Sequence, residues 1–306
     1  MELPLVVGVD GSEHSLRAVA WAADEAVLRG VPLRLVHAAS REDEEETALP
    51  GEPGRFAVAF AFASASASKE RADAVVDAAA RRARRGHQDL RVSVRVRNEE
   101  PVPALVRESR NATALVVASR GRSGVVELLL GSVSLGVAAR ADCPVIVLRG
   151  SHDNQARAGT RQRVVVGVGE GPECAAAVAF ACAEAERRQV TLEAVRAWRR
   201  PVRYDASGPA RSPEEPASAA RRRAADGLAA ALRGAVADHP SVAVLQHPVE
   251  GFVRRALLDA SYRADLLVVG ARRRRAHLGP GLHLGRVAHA LLHHSACPVA
   301  VVPQRA

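Results

Sequence analysis

The amino-acid sequence predicts an α/β protein of two tandem domains, each a five-stranded parallel sheet with helices on both faces. Three observations lead to this prediction. The chain has 306 residues, enough for two compact domains of about 150 residues each. Uninterrupted runs of Val and Leu, typical of strands buried on both faces, alternate with segments of helical periodicity. The order of these segments in the first half of the chain returns in the second half.

The first domain, predicted over residues 1–150, begins with a βαβ unit. Leu5–Val9 is an apolar run that predicts a buried strand, and Ser12 is a suitable N-cap for the helix that follows. Gly30 should end that helix, and Leu33–Ala38 should form the second strand. The later segments are a helix over Glu70–Arg85, a half-buried strand over Arg91–Arg97, a short helix over Pro103–Arg110, and buried strands over Ala114–Ala118 and Val145–Leu148.

The segment between the second strand and the next helix is harder to interpret. The acidic run Glu42–Glu46 is typical of a solvated loop. The alternation of Phe and Val with Ala over Phe56–Phe62 fits an edge strand, a lid over a neighbouring pocket or a dimer contact. The sequence does not choose among these three interpretations.

The second half repeats the first after a linker, which is predicted over residues 150–162 because they lack periodicity. Arg163–Val168 corresponds to Leu5–Val9, and both halves close on a Cys-Pro-Val run followed by apolar residues. The second domain is therefore predicted over residues 163–306, as a second copy of the same α/β fold.

Composition argues against several classes of protein. The net charge of +9 suggests a nucleic-acid partner, but Lys69 is the only lysine, so the Arg excess is better explained by coding bias. The four cysteines form no CxxC pair, and the longest apolar patch is shorter than the roughly 20 residues of a membrane span. We therefore expect a cytoplasmic protein with neither a nucleic-acid nor a membrane partner.

The loop after the fourth strand has the composition of a phosphate-binding segment. Gly121 and Gly124 would let the backbone approach an anion, and Gly131-Ser132 lies at the start of a predicted helix. An ordinary flexible connector has a similar composition, so the loop alone is a weak signal.

The predicted topology strengthens that signal. In an open parallel sheet, ligands bind at the carboxyl ends of the strands, where the strand order reverses. Asp10, the backbone near Ala38 and the loop from Ala118 to Ser132 all follow strand ends. They should therefore converge in one crevice.

Three motifs in the first half occur together: VGVDGS at residues 7–12, LLLGSVS at residues 128–134 and CPV at residues 143–145. With the repeat, they make the whole chain resemble the universal stress protein family in its tandem two-domain form. The resemblance implies a Rossmann-like fold of the adenine nucleotide alpha hydrolase-like type. It also implies a stress-response role.

The ATP-binding branch of that family carries the pattern G-x2-G-x9-G-(S/T). Gly121, Gly131 and Ser132 fit its second glycine, third glycine and hydroxyl, while Ala118 stands in place of the first glycine. If that position requires a positive φ, an L-residue there costs about 1 kcal/mol and weakens binding several-fold. The implied adenosine contacts are Asp10 and the backbone at Ala38, and the implied phosphate contacts are Gly121, Gly131, Ser132 and Ser134. Arg120 and Arg122 could add charge-assisted hydrogen bonds. Ala118 and Val133 complete the predicted nucleotide-binding residues.

The pattern is eroded in the second half. Gly169 replaces the aspartate, Arg273 falls on the second glycine, and Arg286 replaces the serine after Gly285. Two interpretations remain open, namely structural decay and a site for a different anion. Both predict that one ATP binds per chain, in the first domain only.

ATP is expected to be a regulatory ligand, because no P-loop and no water-positioning residue is recognisable. We therefore expect that the protein is not an enzyme, although slow ATP hydrolysis and an accompanying Mg²⁺ are compatible with the site. The alternative is a pseudo-dimeric interaction module that acts through an unidentified protein partner without a nucleotide. A homodimer of tandem chains fits either function.

The C-terminal histidines suggest a further possibility. His289, His293 and His294 could form part of a zinc site, but they fit a solvated helix face better.

Overall fold

The computed structural model describes residues 2–38, 56–119, 130–148, 161–170, 174–199, 202–205, 208–211, 217–272 and 284–304. The chain divides into two compact units, unit 1 over residues 1–153 and unit 2 over residues 154–306. The acidic run and most of the predicted linker lie outside the described residues. The domain bounds at residues 150 and 163 stay a prediction.

Unit 1 contains the predicted five-stranded parallel sheet. Its described elements are β1 (Leu5–Val9), α1 (Glu13–Arg29), β2 (Leu33–Ala38), α2 (Phe56–Arg84), β3 (Val92–Arg97), α3 (Pro101–Ser109), β4 (Ala114–Ala118), α4 (Ser132–Arg140) and β5 (Val145–Leu148). The strand order is β5-β4-β1-β2-β3, with every pair parallel. Helices α1 and α2 pack together on one face and α3 and α4 on the other, which confirms the fold class.

Local sequence explains both ends of α1. The Ser12 side chain accepts a hydrogen bond from the Ser15 N–H and caps the first turn. At the other end Gly30 adopts φ 67°, and its N–H reaches the carbonyls of Ala26 and Val27. A left-handed residue of this kind favours glycine, so both predicted helix ends are confirmed.

Unit 2 repeats this arrangement. Its described elements are β6 (Arg163–Gly167), α5 (Ala175–Arg188), β7 (Thr191–Trp198), β8 (Val202–Asp205), β9 (Gly208–Arg211), α6 (Ala217–Asp238), β10 (Val244–Glu250), α7 (Val253–Ser261), β11 (Leu266–Arg272), α8 (Arg286–His294) and β12 (Val299–Gln304). The parallel order β12-β11-β6-β7-β10 corresponds strand for strand to that of unit 1. The antiparallel pair β8–β9 is an addition that the sequence did not predict.

Two expectations about unit 1 were wrong or incomplete. Phe56–Phe62 is the first part of α2, so its alternation does not form an edge strand. Ala occupies every second position there, and its high helix propensity favours continuation of the helix predicted downstream. Strand β3 is mostly exposed and not half-buried, with Val94 and Val96 about two-fifths exposed. It is the outermost strand of unit 1 and pairs only with β2 among the described residues.

The cysteines behave as the sequence predicts, because all four are free and buried. Burial raises the pKa of both Cys143 and Cys297 to about 12, so neither is a nucleophile near neutral pH. In the described part of the chain, no helix combines the length and apolar character needed to cross a membrane.

A glycine in the first strand of each unit lets a helix pack closely on the sheet. A Cβ placed on Gly8 would lie 3.1 Å from Leu105 Cδ1 of α3. In unit 2, a Cβ on Gly167 would lie 2.9 Å from Leu257 Cδ1 of α7. The two glycines are equivalent by register, since Gly8 is paired with Val36 and Gly167 with Val195.

A buried carboxylate ties the edge of each sheet to neighbouring elements. In unit 1, Glu108 of α3 accepts from Arg34 of β2 at 3.1 Å and from Arg97 of β3 at 2.5 Å. Burial opposes ionisation of Glu108, but the hydrogen bonds from Arg97 and Arg34 outweigh it and lower the pKa of the carboxyl group.

The corresponding cluster of unit 2 has the opposite arrangement of charge, with the carboxylate on the strand. Glu193 of β7 accepts from Arg263 at 2.6 Å, from Arg163 at 2.8 Å and from His247 at 2.9 Å. Burial again opposes ionisation, and the bonds from Arg263, His247 and Arg163 nevertheless lower the pKa of Glu193 to about 2.

We predict that Gly167→Ala destabilises unit 2 by about 1–3 kcal/mol, because the buried Leu257 side chain must move to admit the new methyl group. The matched control is Gly169→Ala, where a Cβ meets nothing within 4 Å. That control should be neutral or stabilising by about 0.4–1 kcal/mol. Urea unfolding is measured by the fluorescence of Trp198 after Trp21→Phe, since the chain has two tryptophans. Equal stabilities of the two variants would contradict the close-packing argument.

We predict that acid weakens unit 2 through Glu193. The folded pKa of about 2 lies below the ordinary value of 4.5, so the ionised carboxylate stabilises the fold fully above about pH 4.5. On the order of 3 kcal/mol should be lost as the pH falls from there toward 2. The same fluorescence measurement across pH should show a flatter dependence for Glu193→Gln and an unchanged one for Glu170→Gln, whose side chain is 94% exposed.

Candidate functional site

A cavity of about 290 Å³ opens at the carboxyl ends of the central strands of unit 1. Parallel sheets of this kind bind ligands at this end. Its described lining comes from the ends of β1, β2 and β4 and from the N-terminal parts of α1, α3 and α4: Gly8, Val9, Asp10, Ser15, Val36, Ala38, Pro101, Leu105, Val117, Ala118, Gly131, Ser132, Val133 and Ser134.

Seven of the nine residues predicted from the sequence border this cavity. They are Asp10, Ala38, Ala118, Gly131, Ser132, Val133 and Ser134. Arg120 and Gly121 lie outside the described residues, as do Arg122 and Gly124. The convergence of three separate strand ends is therefore seen in the structure, whereas the intervening loop is not described.

The carboxylate of Asp10 is held in place by the helix that follows it. Its Oδ1 accepts hydrogen bonds from the Ser12 N–H at 2.9 Å and from the Ser12 hydroxyl at 2.7 Å. Gly11 between them adopts φ 83°, a conformation that favours glycine. Ser12 also caps α1, so one residue starts the helix and orients the carboxylate at the cavity.

His37 is a second positioning contact, and the sequence showed only that a polar residue interrupts an apolar strand. Its side chain is buried, and Nδ1 lies 2.8 Å from the Val9 carbonyl oxygen. Because a carbonyl oxygen only accepts, Nδ1 must carry the proton. This bond fastens the end of β2 to the end of β1, between Val36 and Ala38, which line the cavity.

The start of α4 supplies backbone donors to the cavity. Gly131 is the N-cap, with its own N–H bound to the Ser119 carbonyl at 2.7 Å, and no side chain in the described residues caps the helix. Such a helix start presents unpaired N–H groups and a partial positive charge. The first N–H groups of α4, from Ser132 to Ser134, are therefore available to an anion.

The structure adds detail on two of the predicted residues. The Ser134 hydroxyl is buried and donates to the Ala118 carbonyl at 2.6 Å, so it fixes α4 to β4 instead of facing the cavity as a free donor. Ala118 belongs to β4, and among the described non-glycine residues only Gln162 and Gln189 have positive φ. The conditional penalty for Ala118 in the glycine position therefore does not arise.

The equivalent positions in unit 2 differ in chemistry. Gly169 stands where unit 1 has its aspartate, and its carbonyl accepts from Arg196 Nη1 at 3.2 Å. Gly285 caps α8 in the same extended conformation as its counterpart, but exposed Arg286 and buried Ala288 follow it in place of two serines. Arg273 lies outside the described residues.

A larger cavity of about 620 Å³ lies at this end of unit 2. Its described lining is basic and apolar: Ala197, Trp198, Arg199, Gly251, Phe252, Val253, Arg254, Arg255, Arg286 and Val287. The two units therefore share a scaffold and differ at the mouth of the cavity.

The three histidines of α8 lie near one another along the helix. The rings of His289 and His293 are 4.5 Å apart between centroids, and those of His293 and His294 are 6.0 Å apart. Within the part of the chain that the structure describes, no group of three or more His, Cys, Asp or Glu side chains is arranged to hold a metal ion.

Comparisons with known proteins agree with the repeat. The profile of the Universal stress protein family matches residues 3–149 and again residues 160–303. Universal stress protein Rv2005c of Mycobacterium tuberculosis is 33% identical over 304 residues, covering 98% of this chain and 97% of that protein. Universal stress protein Rv2623 of the same organism is 33% identical over 301 residues, with 98% and 96% covered.

A solved structure shows the same fold over the full length. The universal stress protein from Archaeoglobus fulgidus superposes with a TM-score of 0.70 at 18% identity, covering 100% of both chains. The family profile matches both halves of the chain, and the sequence relatives span nearly all of it. This chain belongs to the universal stress protein family.

Proposed function

We propose that this protein acts in the stress response and binds ATP in unit 1 as a regulatory ligand. The observation that carries the proposal is the cavity between Asp10 and the uncapped start of α4. One side of the cavity offers the oriented carboxylate of Asp10, which can accept hydrogen bonds from the hydroxyl groups of a nucleotide. The other side offers backbone N–H groups, which can donate to its phosphates.

The described cavity suits the nucleoside part of the ligand. At about 290 Å³ it is at the lower end of ligand pockets, which hold about 300–1,000 Å³. Its apolar walls include Val36, Leu105 and Val117, and Ala38 ends the strand beside them. Asp10 would accept from a ribose hydroxyl, because Ser12 already fixes the direction of its carboxylate.

The phosphates would lie at the start of α4. The N–H groups from Ser132 to Ser134 would donate to them, with Arg120 and Gly121 of the connecting loop completing the site. Mg²⁺, where it accompanies ATP, would supply charge neutralisation at the phosphates.

We place regulation ahead of turnover. Fast hydrolysis needs a group that orients water at the phosphates, and the carboxylate of Asp10 is assigned in this proposal to the ribose. Slow hydrolysis is compatible with this arrangement.

Because ATP is a cytoplasmic metabolite, we propose the cytoplasm as the location of the protein. We also propose that the ATP-bound protein acts through a protein partner or as a homodimer of tandem chains. A nucleotide-free interaction module is the competing function.

We predict that Gly131→Val abolishes ATP binding and leaves the fold intact. Gly131 has φ −63° and ψ 145°, a backbone conformation that valine also adopts. The branched side chain of valine would occupy the space beside the first N–H groups of α4. Gly285→Val is the matched control, because it makes the same change at the N-cap of α8. Calorimetry should give a stoichiometry near one ATP per chain for the wild type and for this control.

Two results would contradict this prediction. Unchanged affinity in Gly131→Val would remove the proposed site and favour the nucleotide-free interaction module. Tight residual ATP binding in that variant, with a wild-type stoichiometry near two, would show that unit 2 also binds ATP.

We predict that Asp10→Ala weakens ATP and adenosine by similar factors, because the carboxylate would contact the ribose that both ligands share. Loss of a hydrogen bond to a charged group corresponds to about a tenfold or larger change in affinity. The measurement is calorimetric titration with each ligand, with and without Mg²⁺. Selective loss of ATP affinity, seen only with Mg²⁺, would assign Asp10 to the metal instead.

A further inference from the structure

We infer that the cavity of unit 2 binds a phosphate-bearing organic anion with an apolar or aromatic body, recognised without nucleoside contacts. The site lies at the same end of the sheet as the proposed ATP site, but none of its described lining residues is acidic. The inference goes beyond the proposed function, and its test reports on unit 2 alone.

The first argument is the concentration of unpaired positive charge. Arg254, Arg255 and Arg286 line the cavity, and all three side chains are exposed. Among the described residues Arg254 and Arg286 have no carboxylate partner, and Arg255 has only a distant one at 3.9 Å. Elsewhere in the unit, Arg163 and Arg263 are paired with a buried carboxylate. The guanidinium groups at this cavity, unlike those of Arg163 and Arg263, are not held by a buried carboxylate among the described residues.

The helix starts add to this charge. Phe252 is the N-cap of α7 and Gly285 is the N-cap of α8, and neither helix has a side-chain cap among the described residues. Two partial positive charges thus face the same opening as the guanidinium groups. Guanidinium groups bind phosphate in a bidentate manner and need no close approach of the backbone.

The second argument is the apolar wall beside these charges. Phe252 is 66% exposed and Val253 44% exposed, and both line the cavity with Trp198. The guanidinium group of Arg199 lies over the Phe252 ring, 4.7 Å from its centroid. An aromatic surface beside fixed cations favours a ligand that joins an apolar body to an anionic group.

Comparison with unit 1 argues against simple decay. Helices α3 and α7 both have nine residues, so Phe252, Arg254 and Arg255 stand where unit 1 has Glu100, Val102 and Pro103. Arg286 likewise stands in place of a serine at the start of the last helix. Decay would scatter changes of many kinds, whereas these changes introduce three cations and remove one anion at a single opening.

The same comparison explains why a nucleoside is not expected. Gly169 offers no carboxylate, and its carbonyl is already bound to Arg196. The contact that would recognise a ribose in unit 1 therefore has no counterpart here.

The test uses the full-length Trp21→Phe protein, in which Trp198 is the only tryptophan. Phenyl phosphate should change its fluorescence in a saturable way, and calorimetry should give a matching affinity. Arg254→Gln combined with Arg286→Gln should weaken that binding at least tenfold. The charge-matched control combines Arg221→Gln with Arg233→Gln on α6, where both side chains are exposed, and should bind like the parent protein.

The apolar wall is tested with a second ligand and a third variant. Phenyl phosphate should bind more tightly than inorganic phosphate, and Phe252→Ala should remove most of that difference. Three results would overturn the inference: no saturable binding of phenyl phosphate in calorimetry, equal weakening in the α6 control, or displacement of phenyl phosphate by adenosine.

Discussion

Both cavities depend on the close approach of a helix to a glycine in the first strand. Gly8 lets Leu105 of α3 reach the sheet in unit 1, and Gly167 does the same for Leu257 of α7 in unit 2. A second approach follows in unit 1, where a Cβ on Gly136 of α4 would lie 3.0 Å from Val102 of α3. The first strand therefore fixes the third helix and that helix fixes the fourth, whose N-terminus borders the cavity. Interiors packed at this density transmit any added volume, so the cavity shape follows from glycine positions.

The buried carboxylate clusters show that the two units keep an interaction while exchanging its residues. Arg34 on the second strand of unit 1 bonds a glutamate on the helix, whereas Glu193 stands on the second strand of unit 2 and bonds Arg263 beyond the helix. Each carboxylate loses hydration on burial and regains it as charge-assisted hydrogen bonds, so neither partner is replaceable alone. The arrangement can invert, because the fold requires that the buried carboxylate be paired with guanidinium groups and not that it stand on a particular element. Weak side-chain similarity between the halves is thus compatible with a strict repeat of the backbone.

The sequence predicted what local patterns determine. The strands, both ends of α1 and the correspondence of the two halves follow from apolar runs, caps and glycines that lie close together in the chain. It did not predict the exposure of Val94 in β3, which depends on the position of that strand at the edge of the sheet. Nor did it predict that Ser134 would bond the Ala118 carbonyl, since that contact joins residues whose approach is set by tertiary packing. The residues that border the cavity could be predicted as a group, whereas their hydrogen bonds required the geometry.

Packing restricts the glycines of the first strands more than it restricts several positions at the cavity mouths, which is compatible with two copies of one scaffold having different openings. Gly8 and Gly167 face leucine side chains at close range, and glycine is present in both units. At Gly169 and Gly285 a Cβ would meet nothing within 4 Å, so packing does not restrict the residue there. The position of Gly169 is occupied by Asp10 in unit 1. Because no neighbouring atom restricts the side chain there, the residue can differ between the two units. Substitution at an open cavity mouth leaves the sheet packing unaffected. A duplicated domain can therefore lose a carboxylate at one such position and gain guanidinium groups at others at little cost in stability.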